Sequence, residues 1–375
     1  MAKSFVVEKK NVREPLFRVE KRDTLPKWKK ALIYAIAIIG ALLLGGTICS
    51  IASPKGNPLT FFGSLFKGVF NSGRSIWETL KEMALLVAVS MALLPTFKMK
   101  FWNLGGNGQI LVGGLAANIC MWYLGGVIAD VWVIILSVIS SIVAGALWAV
   151  IPAIFKAFFN TNESLFTLMM NYIAQCLVTL FIAMWVKSGS SVLTDNMLPY
   201  GRLPMLGNQF LLTILVGAAI FGFVFVFLKF TKGGYELSVV GDSQNTARYV
   251  GIKVKKVIIK TLIMSGAICG IVGLMLTAGN YANAAVGTGT AKNMGFTAIM
   301  TTWLANCNPI AILGTCGLVA FINKGMTQVR MDFRMTSESF SNLVVGLIYF
   351  FIIACSFFVQ YKLIMRKKKK EENKL

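Results

Sequence analysis

The chain has 375 residues, 56% of them hydrophobic and only 14% charged, where soluble domains carry about a quarter charged residues. This composition excludes an ordinary water-soluble globule and points to a polytopic membrane protein. Lys and Arg outnumber Asp and Glu by 37 to 15, for a net charge of +22, and histidine is absent. Its absence removes imidazole acid–base catalysis, Ser-His and Cys-His nucleophiles, and most zinc and iron sites.

The first thirty residues form a basic tail with ten Lys/Arg, and Ala31–Ala52 then runs 22 residues without a charge. That is long enough to cross a bilayer. A signal peptide has a shorter apolar core and a small-residue exit, whereas Ser53-Pro54-Lys55 follows here, so an uncleaved first span is expected. Further apolar runs are Met83–Phe97, Ile110–Ala129, Val131–Phe155, Ser164–Val186, Phe210–Leu228, Thr261–Ala291, Asn293–Asn323 and Phe340–Tyr361. The run from Asn293 is broken at Asn306-Cys307-Asn308-Pro309 into two pieces of about thirteen residues, each too short for a full crossing. The fold expected is therefore all-α: a transmembrane bundle of about ten spans over residues 31–361, with broken or re-entrant helices.

Orientation follows the Lys/Arg bias. With the N-terminus inside, the cytosolic segments hold 27 of the 37 basic residues, and ten spans put both termini inside. The positive charge then faces the anionic inner leaflet and its lipids, and nothing suggests nucleic acid. The basic C-terminal tail, residues 362–375, reads as an orientation device.

The seven cysteines (Cys49, Cys120, Cys176, Cys269, Cys307, Cys316 and Cys355) show no C-x-x-C spacing, and most lie in apolar runs, as buried small hydrophobes do. With few acids and no histidine, neither a catalytic residue, a metal site nor a cofactor is expected. Glu78, Lys81 and Glu82 fall at the outer end of the second span, where a Glu78–Lys81 helix pair is expected.

The longest internal polar stretch, residues 229–260, carries helix punctuation. Asp242 is read as an N-cap, Ser243–Val250 as two turns, Gly251 as a left-handed exit and Ile252 as an apolar clasp. A further helix begins near Lys253. So short a helix is marginal alone; it either lies on headgroups and the bundle's own face or docks into another protein.

Residues Gly233–Asp242 followed by Thr246-Ala247-Arg248-Tyr249-Val250-Gly251-Ile252 resemble the coupling segment of ABC-importer permeases of the ribose and branched-chain amino acid superfamily. Phe101–Gln109 and Leu168–Ala174 resemble its nucleoside branch. With Gly295-Phe296-Thr297 and Asn308-Pro309, the matches run from about residue 75 to 325. Three departures stand out: Asn107 replaces a carboxylate, Gln244-Asn245-Thr246 replaces a proline-glutamate-alanine, and the arginine before the late Asn-Pro is missing.

The resemblance implies a permease in a bacterial cell membrane that imports nucleosides, or else simple sugars or another small neutral solute. It implies three partners: a separate ABC ATPase, an extracytoplasmic substrate-binding lipoprotein, and a second permease subunit, expected to be a different chain. No G-x-x-x-x-G-K-[S/T] occurs, so the phosphate-cradling subunit is another chain. Coupling to the ATPase is expected of Gly241, Asp242, Asn245, Ala247, Arg248, Tyr249 and Gly251, and Ala247→Trp is expected to block docking sterically.

Polar groups inside spans mark the expected pathway: Asn103, Asn107, Gln109, Asn118, Asn171, Tyr172 and Trp303, with Gln175 and Thr179 as further candidates. The same amides could instead only join helices. An ion-coupled secondary transporter is the competing class, with Asp130 as its main relay candidate.

Overall fold

The computed structural model describes residues 17–21, 26–53, 57–186, 200–278, 287–335 and 339–365. Expectations for the first sixteen residues, for residues 280–286 and for Arg366–Lys370 fall outside them. In chain order the elements are β1 (Phe17–Lys21), α1 (Lys27–Ala52), α2 (Pro58–Phe70), α3 (Gly73–Lys98), α4 (Gly106–Leu124), α5 (Asp130–Phe159), α6 (Glu163–Trp185) and α7 (Leu211–Phe230). They continue with α8 (Lys232–Asp242), α9 (Gln244–Tyr249), α10 (Val254–Thr277), α11 (Met294–Leu304), α12 (Pro309–Asp332), α13 (Ser339–Gln360) and β2 (Tyr361–Met365).

The chain is a helical membrane bundle, and every expected span carries a helix. Among the described residues, seven are long and apolar enough to cross: α1, α3, α5, α6, α7, α10 and α12. α11 has 11 residues, short as expected. The second piece of the broken run is not short. α12 has 24 residues and continues past Asn323 through Lys324, because the Lys324 ammonium meets the Glu78 carboxylate on α3. α3 likewise starts ten residues before the expected span, with Ser72 accepting a hydrogen bond from Ser75 N as its N-cap. α2 was not expected. Pro58 opens it, a position where a missing N–H costs nothing, and Phe66 packs edge-on to Phe321 of α12 at 5.3 Å.

Two compact units divide the chain. The first holds β1, α1, α13 and β2. Its helices pack together, with Val344 against Gly45, and β1 pairs antiparallel with β2, Phe17 opposite Met365. The ribbon, absent from the sequence expectation, pairs the strand before the start of α1 with the strand after the end of α13.

The second unit spans residues 62–334. Its centre is α10, packed chiefly on α5 and α4. A side chain on Gly270 would run into the Ser141 carbonyl of α5, and one on Gly145 into the Gly266 carbonyl of α10, so glycine sets how closely those backbones approach. Without a hydrophobic driving force between helices in lipid, such contact carries much of the packing. One end of this unit gathers the C-terminus of α3, the α5–α6 turn, α8, α9 and the start of α10. Leu237, Val240, Ala247, Val254, Val257, Ile258, Met99, Phe101, Ala149 and Ala153 form a buried cluster there.

Candidate functional site

Two arrangements in the second unit stand out: a buried junction of helix starts and an exposed short helix. At the junction, α4 begins at Gly106 without a side-chain cap of its own. Its first N–H groups need acceptors, since no preceding turn supplies them. The chain solves this from a distance. Asn171 on α6 accepts from Gly108 N at 2.8 Å and donates through Nδ2 to the Leu104 carbonyl at 2.9 Å, while Thr167 Oγ1 accepts from Leu104 N at 3.1 Å. α11 also lacks its own side-chain cap, and Asn107 Oδ1 accepts from Gly295 N at 2.7 Å. A Cβ on Gly295 would lie 2.5 Å from Asn107 N, so the two helix starts touch through glycine.

Asn103 completes the junction. Its Oδ1 accepts from Gly105 N at 3.0 Å and stands 3.5 Å from Gln109 Nε2, and its Nδ2 reaches Ser265 Oγ of α10 at 3.4 Å. Asn103, Asn107, Gln109 and Asn171 are all buried. Irregular backbone at membrane depth is tolerated in such a setting, where protein satisfies it. Among the described residues, Gln109 Oε1, Asn118 Oδ1 and Trp148 Nε1 are buried without a hydrogen-bond partner. Trp148 Nε1 lies 3.2 Å from where a Gly108 Cβ would sit.

The structure thus brings four of the seven expected pathway residues together. Asn118 stands apart on α4, donating to the Gly114 carbonyl at 2.8 Å. Tyr172 and Trp303 are exposed, 56% and 49%. Trp303 packs on Trp102 with ring centroids 4.8 Å apart, and Trp102 was missed as a candidate although it directly precedes Asn103. Asp130 accepts a hydrogen bond from Gly201 N, a contact that fastens a loop.

The ion-pair expectation at the other end of α3 is corrected. Glu78 pairs with Lys324 and, at 3.0 Å, with Arg74, not with Lys81, whose Nζ lies over the Phe210 ring at 5.6 Å. A partner on another helix and one on the preceding turn outbid the neighbour three residues on.

The exposed helix is α9. Its cap is also corrected: Asp242 is the last residue of α8, and Ser243 accepts from Thr246 N at 3.2 Å. The α8 helix itself was not expected, and near its end a side chain on Gly241 would run into the Lys98 carbonyl at the end of α3. The exit is as expected. Gly251 has φ +83, Ile252 N returns to the Ala247 carbonyl at 2.9 Å, and Ile252 packs on the buried cluster. Ala247 faces inward and is fully buried. Asn245, Arg248 and Tyr249 face out, Tyr249 at 92% exposure.

Comparison with known proteins decides the class of this architecture. The family described as branched-chain amino acid transport system / permease component matches residues 75–353. The chain belongs to that family. It is 28% identical to the guanosine ABC transporter permease protein NupP of Bacillus subtilis, over 90% of this chain and 97% of the relative. Identity is also 28% to the nucleoside ABC transporter permease protein NupB of Lactococcus lactis, over 90% and 94%. The glucose ABC transporter permease protein TsgB13 of Haloferax volcanii is 23% identical over 92% and 93%. The chain is thus a multi-pass ABC permease, and both the amide junction and α9 lie within the matched region.

Proposed function

We propose that this permease imports nucleosides, receiving them from an extracytoplasmic binding lipoprotein and drawing energy from a separate ABC ATPase that docks on α9. The observation that carries the reading is α9 itself. It is a short rod with its inner face packed through Ala247 in a cluster with the α3–α4 turn, α5, α8 and α10, and its outer face exposed among the described residues. Force applied there reaches the α3–α4 turn, and so the amide junction, through packed side chains rather than a flexible loop.

We place the cytosol at the end bearing Lys98, Lys100, Lys156, Lys229, Lys232, Lys253, Lys255, Lys256 and Lys260, in keeping with the positive-inside bias. The pairing of β1 with β2 supports both termini lying on one side. The pathway runs past the α4–α11 junction, where Asn103, Asn107, Gln109 and Asn171 set the geometry. Asn118, Tyr172 and Trp303 are its further polar and aromatic candidates. Amides and aromatic rings without fixed charge suit a neutral, hydrogen-bonding ring compound. A second permease chain, different from this one, completes the translocation unit.

ATP-dependent uptake into proteoliposomes holding permease, ATPase and binding protein tests this, with unlabelled guanosine, uridine, ribose, glucose and leucine as competitors. Competition by the nucleosides is expected. Competition by glucose or ribose alone would assign a sugar permease, and uptake driven by an ion gradient without ATP would overturn the importer reading.

A further inference from the structure

The exposed face of α9 carries a single charge, Arg248. From Gly241 to Lys260 the chain carries Arg248, Lys253, Lys255, Lys256 and Lys260 against Asp242 alone. Arg248 is exposed, and no ion pair involves it among the described residues. The position three residues before it, which a helix would use to pair an arginine, is the neutral Asn245. Beside Arg248 stand two exposed apolar surfaces, Tyr249 and Val250, the latter at 66% exposure. A guanidinium next to an aromatic ring and an aliphatic group, held on a rod that cannot swivel because Ala247 and Ile252 pin it, is the make-up of an interface anchor.

We propose that Arg248 is the anchor of the α9 interface and that the ATPase cleft receiving it is lined by carboxylates, so that coupling depends on a charge pair made between chains. This rests on the coupling role proposed for α9. Headgroup contact would ask for a diffuse cationic surface. It is met by Lys255, which lies over the Phe158 ring at 4.4 Å, and by Lys229 over Phe225 and Phe230. Arg248 differs from these: it is exposed, and no ring contact or ion pair holds it among the described residues.

The test measures binding of the permease's cognate ABC ATPase to permease in nanodiscs, at low and high salt. One set of nanodiscs is pure phosphatidylcholine and the other holds a third phosphatidylglycerol. Arg248→Glu should weaken binding at least about tenfold and flatten its salt dependence. Arg248→Lys should weaken it less, since charge is kept and the planar fork is lost. Asn245→Glu should weaken it several-fold by giving Arg248 a partner on its own helix, while leaving every buried contact in place. Wild-type affinity in both glutamate variants, or a salt-independent wild type, overturns the proposal. An effect of Arg248→Glu seen only in the phosphatidylglycerol discs also overturns it and assigns Arg248 to headgroups. Ala247→Trp, which dislodges α9 with Arg248 intact, separates the two layers. If it abolishes binding while Arg248→Glu does not, α9 couples without the charge pair; if neither matters, the coupling role itself fails.

Discussion

Asn171→Ala removes the clasp between α6 and the start of α4. Asn171 is only 4% exposed, and its amide serves Gly108 N and the Leu104 carbonyl at once. Truncation strands both backbone groups out of reach of bulk water. Each such group costs about 1–3 kcal/mol. Side-chain hydrogen bonds between membrane helices average only about 0.6 kcal/mol, because the separated helices find other partners. Here the stranded N–H belongs to a helix start with no preceding turn and no cap of its own, so the larger figure applies to it. We expect a loss of about 2–4 kcal/mol in all. Asn171→Leu keeps most of the volume and should cost nearly as much, which separates the hydrogen bonds from the cavity. Tyr172→Phe, one residue on and exposed, should change stability by less than about 0.5 kcal/mol. Denaturation of purified permease in detergent, followed by tryptophan fluorescence, reads all three. A change under about 0.5 kcal/mol for Asn171→Ala, or full stability with abolished uptake, would refute the clasp and make Asn171 a substrate contact.

Gly251→Val should disrupt the exit of α9 although nothing lies within 4 Å of a Cβ there, because a β-branched residue resists positive φ. Gly251→Asn should be tolerated, and ATPase pull-down compares the two. Ser243→Ala should loosen α9 by about 1 kcal/mol, seen as faster amide exchange over residues 244–250, while Asp242→Ala leaves exchange there unchanged. A double-mutant cycle of Glu78→Gln with Lys324→Met should show coupling above that of Glu78→Gln with Lys81→Met, whose partners are not paired, again by detergent denaturation. Neutralising Arg366–Lys370 should change membrane abundance or orientation and leave uptake per inserted molecule intact, as quantitative blotting beside transport will show.

What the sequence determines by itself is set by forces acting along the chain. In lipid every backbone polar group needs an internal partner, so each long apolar run must build on a helix, and every expected span carries one. Gly251 and the Asn308–Pro309 start of α12, where Asn308 accepts from Ile310 N at 3.1 Å, were legible because positive φ and helix-start chemistry depend on adjacent residues. The tertiary structure alone decided which groups meet across distance. Asn171 lies 63 residues from Gly108, Asn107 188 residues from Gly295, and Glu78 246 residues from Lys324. No local pattern marks such partners, because an amide or carboxylate takes whichever unsatisfied group folding brings to it. For the same reason α3 and α12 outran their apolar runs once Glu78 and Lys324 met. The cap of α9 passed from Asp242 to Ser243 because Gly241 packs onto the end of α3, and Ala247 turned inward to meet a cluster assembled from four other segments. Only the close approach of those backbones, measured in ångströms and not in residues, could settle these.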